Sequence, residues 1–198
     1  MKQKVLLASN NAHKIKEIRA ILGDFFDIVS LREAGVESDP EETGKTFEEN
    51  ARIKAVAGMK ASGMPCIADD SGLEVLALDC RPGVMSARYS GSHGDDAANN
   101  EKLLAELADK PDRSARYVCV ICMAFPDGRE LEARGECYGE ILKEKRGNGG
   151  FGYDPLFYFP QFGKTFAGIS SEEKNEVSHR NAALKAFEKL WEKEINDK

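Results

Sequence analysis

Apolar residues fall into short runs and helical stripes that alternate along the chain. Val5 to Ala8 is a four-residue apolar run that stops at Ser9-Asn10-Asn11. Ile15, Ile18, Ile21 and Leu22 then recur at helical spacing, with Gly23 as the stop. The pattern predicts strand, polar turn, helix. Leu31 to Lys45 is acidic and rich in turn formers, including Asp39-Pro40-Glu41-Glu42. Thr46-Phe47-Glu48-Glu49 matches a capping box and opens an alanine-rich helix predicted to reach about Ala61 and close at Ser62-Gly63. Pro65-Cys66-Ile67-Ala68 reads as a second short strand that ends in Asp69-Asp70-Ser71-Gly72.

The second half has a different rhythm. Gly83 to Gly94 is loop-rich, and Asp95 caps a predicted helix with Leu103, Leu104 and Leu107 on one face. Arg116 to Phe125 and Glu130 to Tyr138 read as strands joined by the turn Pro126-Asp127-Gly128-Arg129. Gly147 to Pro155 is a glycine loop, Leu156 to Phe159 a strand, and Ser178 to Ile195 a last helix expected to bury Ala183, Leu184, Phe187, Leu190 and Trp191. Without repeats or an obvious linker, this alternation predicts a mixed α/β fold over 1–198, in two lobes with a cleft.

Composition narrows the function. At 198 residues, 41% hydrophobic and 31% charged, the chain is sized for a core of its own. No apolar run approaches the ~20 residues of a membrane span, and the N-terminal apolar run is too short for a secretory signal. A soluble protein without a targeting signal is expected. A net charge of −6 disfavours a sequence-independent grip on a nucleic-acid backbone but leaves room for a small polyanion in one basic pocket. The five cysteines, an odd number without framework spacing, fit a reducing cytoplasm. Cys119 and Cys122 have redox-motif spacing, yet on a strand residues three apart face opposite ways, so both read as small core residues.

Four stretches carry candidate chemistry. Ser9-Asn10-Asn11-Ala12-His13-Lys14 puts small polar groups, backbone N–H donors and a lysine at a helix N-terminus, either an anion site or an ordinary Asn cap. Gly44-Lys45-Thr46 and Gly163-Lys164-Thr165 lack the earlier glycine of a phosphate-wrapping loop, since Asp39 and Tyr158 occupy that position. Asp69-Asp70-Ser71-Gly72 offers adjacent carboxylates that point different ways, one to take a hard cation and one to be held by the scaffold. With Asp39, Glu41 and Glu42 in a separate acidic loop, a Mg²⁺ site drawn from two segments is predicted. Gly147 to Asp154 brings backbone close to a ligand, with Phe151 or Tyr153 to stack on a base or to fill core. Lys174-Asn175 and Ser178-His179-Arg180 add a cationic cluster, and His93 reads as an ordinary surface residue.

Taken together the blocks resemble the inosine triphosphatase family, the RdgB/HAM1-like nucleoside-triphosphate pyrophosphatases. They are Ser9-Asn10-Asn11-x-x-Lys14, Thr46-Phe47-x-Glu49-Asn50-Ala51-x-x-Lys54-Ala55, Ala68-Asp69-Asp70-Ser71-Gly72-Leu73, Pro82-Gly83-Val84-x-Ser86-Ala87-Arg88-Tyr89, and Gly149 to Pro155 with Lys174-Asn175-x-x-Ser178-His179-Arg180. They stand in family order over positions 9–180. The resemblance implies an elongated two-lobed α/β fold with a mixed sheet, flanking helices and a central nucleotide cleft, commonly a homodimer, acting in the cytoplasm. It implies Mg²⁺-dependent hydrolysis of ITP, dITP and XTP to the monophosphate and pyrophosphate. By position, Ser9 to Lys14 would hold phosphates, Asp70 would be general base and metal ligand, and Ser71 would touch substrate. Phe151, Gly152, Tyr153, Asp154, Lys174, His179 and Arg180 would surround base and sugar, and Lys54 and Asp69 match catalytic positions. Glu42 is the best match for the second metal carboxylate, with Asp39 and Glu41 as rivals in the same loop. Met85 and Gly168 depart from the family pattern, which usually has Tyr and Glu there.

Overall fold

The computed structural model describes residues 2–196; the side chain of His13, one of the expected phosphate-binding residues, lies outside the described residues. The order of elements is β1 (Gln3–Leu7), α1 (Ala12–Leu22), β2 (Phe26–Ser30), α2 (Leu31–Ala34), α3 (Phe47–Ser62), β3 (Cys66–Val75), β4 (Arg81–Pro82), α4 (Asp96–Glu106), β5 (Ser114–Ala124), β6 (Glu130–Ile141), β7 (Phe157–Phe159), β8 (Lys164–Thr165), α5 (Ser171–Val177) and α6 (His179–Asn196). The strands form one mixed sheet in the order β2-β1-β3-β5-β6-β7-β8, with β4 paired to β3. β1 is parallel to both β2 and β3, whereas β7 is antiparallel to β6 and β8. The mixed α/β class expected from the sequence is the observed one.

Two compact units share this chain. The first runs to Asp70 and takes in Cys119–Gly135 and the chain from Arg180 onward; the second is Ser71–Val118 with Glu136–His179. The chain passes from one to the other inside β3, β5 and β6 and next to the start of α6.

Each unit has its own apolar core. In the first, Val5 and Leu7 of β1 join Ile18, Leu22, Phe26, Ile67, Ile121, Met123, Leu184 and Phe187, while the intervening Leu6 packs with Leu31 and Cys66. The pleat thus sends alternate residues of one short apolar run into two layers, which is why this run carries no polar positions. In the second unit, Leu73, Val75, Leu103, Leu107, Tyr117, Tyr153, Leu156, Phe157 and Phe166 pack together. Cys119 and Cys122 are both buried free thiols on β5, core residues as their strand spacing predicts.

Several local expectations are corrected. β3 does not end at Asp69 but runs unbroken to Val75, so the two carboxylates sit mid-strand. The following Ser-Gly-Leu-Glu-Val is largely buried and extended, so no turn forms at the Asp pair. The capping box of α3 is only half closed: Thr46 Oγ1 accepts the Glu49 N–H, but Glu49 Oε2 accepts from Lys45 N (2.5 Å). α5, unannounced by any apolar periodicity, is started by a full capping box of Ser170 with Glu173. Residues 83–88 wind as a 3₁₀ helix rather than a loop. Leu190 is 39% exposed, because it lies at the edge of the α6 stripe that Leu184, Phe187 and Trp191 define. Trp191 instead packs its ring 4.7 Å from that of Phe26.

Candidate active site

The first unit sets charged side chains against both carboxylates of β3. Neighbouring residues on a strand point to opposite faces, and here the two faces meet different helices. Asp69 meets α1 and α6. Its carboxylate lies 2.9 Å from Lys14 Nζ and 3.4 Å from Arg180 Nη2. Arg180 Nη1 is 2.8 Å from Glu17, one turn after Lys14 on α1. Lys14, Asp69, Arg180 and Glu17 therefore form an alternating chain of charge anchored at both ends in one helix.

Asp70 meets α3. Lys54 Nζ is 2.7 Å from Asp70 Oδ1 and 2.8 Å from Glu42 Oε1, so one ammonium holds two carboxylates from distant segments. Asn50, one turn before Lys54 on α3, donates from Nδ2 to Asp70 Oδ2 (3.4 Å) and accepts the Gly44 N–H at Oδ1 (2.8 Å), fastening the acidic loop to the helix. α3 approaches β3 closely at Gly58, where a Cβ would stand 2.6 Å from Cys66 Sγ.

The two carboxyls differ in environment and in acidity. The Asp69 side chain is 2% exposed, Asp70 11% and Glu42 28%, a gradient from scaffold to solvent. Burial raises the Asp69 pKa, but the charges of Lys14, Arg180 and Lys54 outweigh it and hold the carboxyl well below the usual carboxylate range. For Asp70 burial prevails over the Lys54 charge, with Glu42 adding to it, and the pKa is raised. Burial depresses Lys54, yet Asp70 and Asp69 more than compensate, so it stays protonated. Asp69 is thus a fixed anion, and Asp70 holds a proton more readily than an ordinary carboxyl does.

The Ser9–Lys14 segment is an Asn-capped turn that also delivers a cation. Ser9 Oγ accepts the Asn11 N–H (3.1 Å) and Asn11 Oδ1 the Lys14 N–H (3.3 Å), while Asn10 Oδ1 accepts the Arg32 N–H of α2 (3.1 Å). Asn10, Asn11 and Ala12 are exposed at the start of α1. Glu42 is brought to the Lys54–Asp70 pair, and it alone of the three acidic rivals has an ion pair there among the described residues.

The second unit holds the other expected site residues. Ser71 is half-buried on β3. Asp154 is buried and organises the glycine loop: its carboxylate accepts the Phe151 N–H (2.9 Å) and the Tyr117 hydroxyl (3.3 Å) and pairs with Lys174. Gly150, at φ +73°, wraps this carboxylate so tightly that a Cβ would stand 2.2 Å from Asp154 Oδ2. Phe151 stands out at 59% exposed, with Lys174 Nζ 4.4 Å from its ring centroid. Tyr153 is a core residue whose hydroxyl donates to Ser86 O (2.8 Å). His179 is buried and stacked on Tyr117, ring centroids 4.8 Å apart. Arg180, expected near the base, has its guanidinium on Asp69 and Glu17 in the first unit.

Residues given no role from the sequence complete both clusters. Asn50 and Glu17 were legible as helical neighbours of Lys54 and Lys14 at i−4 and i+3. Tyr117 had no such signal, because its partner Asp154 is 37 residues away.

A hard divalent cation fits the donor set of the first unit. Asp70 and Glu42 already converge on a single cationic centre, the Lys54 ammonium, and both are oxygen donors of the kind Mg²⁺ prefers. Among the described residues no group of three or more His, Cys, Asp and Glu is arranged to hold a metal, so such an ion would take most of its shell from water and substrate.

The model of the Ham1 family matches residues 5–190. The chain is 56% identical to a dITP/XTP pyrophosphatase of Desulfotalea psychrophila, over 91% of this chain and 81% of that one. It is 50% identical to a dITP/XTP pyrophosphatase of Haemophilus influenzae, over 93% and 96%. Among solved structures, the Staphylococcus aureus Ham1 protein superposes with a TM-score of 0.90 at 45% identity, covering 97% of this chain and all of that one.

Proposed function

The chain belongs to the Ham1 family, and from that premise we propose that it hydrolyses the non-standard purine nucleoside triphosphates ITP, dITP and XTP to the nucleoside monophosphate and pyrophosphate, clearing them from the nucleotide pool before they enter DNA or RNA. The observation that carries this reading is the division of labour at Asp69-Asp70. One carboxylate is buried against Lys14 and Arg180, and its neighbour, on the opposite face, is paired with Lys54 beside Glu42.

Phosphoanhydride cleavage chiefly needs positioned phosphates, neutralised charge and an aimed water. Lys14 and the N–H donors at the start of α1 bind phosphate oxygens, with Asp69 and Arg180 orienting Lys14. Asp70 and Glu42 would hold Mg²⁺, which would supply positive charge to the triphosphate. Water attacks a phosphorus of the triphosphate, the bridging anhydride bond breaks, and the water's proton passes to Asp70. Asp70 faces the half-open side of β3 beside Lys54 and Glu42, where a water can reach it. Lys54 offsets the charge that develops on the phosphates and keeps Asp70 and Glu42 from repelling one another.

The base is taken by Phe151 through stacking, with Gly152, Asp154, Lys174 and Ser71 around base and sugar. Hypoxanthine and xanthine present a carbonyl acceptor at position 6, and adenine an amine donor. A donor from the His179-Arg180 region favours the carbonyl, because a buried donor left unpaired costs ~1–3 kcal/mol. The family reading also makes the protein a homodimer of the cytoplasm.

The deciding experiment measures pyrophosphate release with Mg²⁺ and compares kcat/KM for dITP with dGTP and dATP. A preference above ~100-fold, about 2.7 kcal/mol of differential transition-state binding, is expected. Equal rates on all three would keep the chemistry and refute the selectivity. No release from any would refute the enzyme.

A further inference from the structure

The second unit contains a second hold on the glycine loop, supplied by α4. Gly150 (φ +73°) and Gly152 (φ +61°) flank Phe151, and two left-handed glycines beside an exposed aromatic leave its ring free to wander unless the backbone is tied. Asp154 ties the Phe151 N–H. The next peptide groups are tied by two residues one turn apart on α4. Asp96 Oδ2 accepts the Gly152 N–H (2.7 Å), and Asn100 Nδ2 donates to Gly152 O (2.8 Å) and to Asp96 O (2.6 Å). Both polar groups of the one residue that follows Phe151 are therefore gripped by a single helix face.

Asn100 accepts a cost to do this. It is buried, and its Oδ1 has no hydrogen-bond partner among the described residues, a desolvation penalty that an apolar side chain of similar size would avoid. A residue kept only to fill the space would not need an amide.

We propose that Asp96 and Asn100 are positioning residues that set Phe151 as the stacking platform for the purine. This deepens the functional reading above and rests on it. Each side chain acts through the Gly152 peptide, so the effect belongs to substrate binding and not to the chemical step carried by the first unit.

The test is steady-state pyrophosphate release from dITP by wild-type protein and by the D96A, D96N and N100L variants, with a thermal melt of each. Asp96 is exposed, so D96A removes the acceptor without opening a core cavity. D96A and N100L are expected to raise KM about fivefold each, since each loses one hydrogen bond to Gly152, with kcat within about twofold of wild type. D96N keeps a side-chain oxygen for the Gly152 N–H and is expected to restore the wild-type KM. That rescue, with the split between KM and kcat, separates positioning from a general structural role. Unchanged KM in D96A beside normal wild-type turnover overturns the inference and leaves the function standing, as does a fall in kcat at constant KM. Wild-type protein that releases no pyrophosphate overturns both.

Discussion

Exchanging either carboxylate of β3 for its amide should produce opposite phenotypes one residue apart. In D69N, Lys14 and Arg180 lose the anion that lies 2.9 and 3.4 Å away, and Arg180 is itself buried. Breaking a buried ion pair by removing one partner typically costs 3–5 kcal/mol. Glu17 remains on Arg180, so the low end, about 3 kcal/mol, applies. For a chain of this length 1 kcal/mol moves Tm by ~2–4 °C, giving a loss of roughly 6–12 °C at pH 7. In D70N, Lys54 keeps Glu42 at 2.8 Å, and the variant sheds a buried charge that the fold disfavours, so Tm should stay within about 2 °C of wild type or rise. Turnover of D70N should fall by ~10²–10⁴, the usual worth of a positioned base. The signs with pH are also opposed. The Asp69 pKa is depressed in the fold, so its stabilisation is complete above the ordinary carboxylate value near 4 and drains away below it. The gap between wild type and D69N should therefore close on acidification. The Asp70 pKa is raised, so the ionised group works against the fold above that pKa, and wild type should gain on D70N as pH falls. Thermal melts of the three proteins from pH 3 to 7, with pyrophosphate release at pH 7, decide the matter. A D69N variant that melts with wild type at pH 7, or a gap that persists unchanged to pH 3, would refute the assignment of Asp69 as a buried anchor.

Three further outcomes are expected. K54M leaves Asp70 facing Glu42 without the intervening ammonium; kcat should drop at least ~100-fold, and the acid limb of the residual activity should move to higher pH, since losing a positive neighbour raises the Asp70 pKa further. G150A places a Cβ against Asp154 in a left-handed conformation that costs ~1–2 kcal/mol, so Tm should fall by roughly 2–8 °C and KM for dITP should rise, and a variant unchanged in both would show that the wrapped loop is not the base site. Chelation by EDTA should abolish pyrophosphate release and added Mg²⁺ should restore it; turnover persisting in EDTA would remove the metal role of Asp70 and Glu42.

What could be read ahead of the structure was whatever depends on neighbours in sequence. The β1 run, the α1 stripe from Ile18 to Leu22 and the cap at Thr46 are local, and each is found where the pattern put it. The opposed facing of Asp69 and Asp70 also follows from strand geometry alone, although the apolar run that marks their strand stops at Ala68. The extension of β3 to Val75 escaped because Ser71 and Gly72 are ordinary turn residues, and their burial comes from tertiary packing. α5 escaped for the complementary reason: it has no fully buried residue and no apolar stripe, and its start is marked only by Ser170 and Glu173 closing a capping box. The long-range partnerships had no local trace at all. Lys54 holding Glu42 and Asp70 at once spans segments 12 and 16 residues away from it, and Arg180 reaches Asp69 across 111. These are also the contacts that separate the two carboxylates chemically. An Asp-Asp pair on a strand implies two directions; that one direction ends between Lys14 and a buried Arg180 and the other at Lys54 and the more exposed Glu42 is a property of the helices α1, α3 and α6 that supply Lys14, Lys54 and Arg180. The site's chemistry is therefore written mostly in the helices that cover the strand, and only its axis in the strand itself.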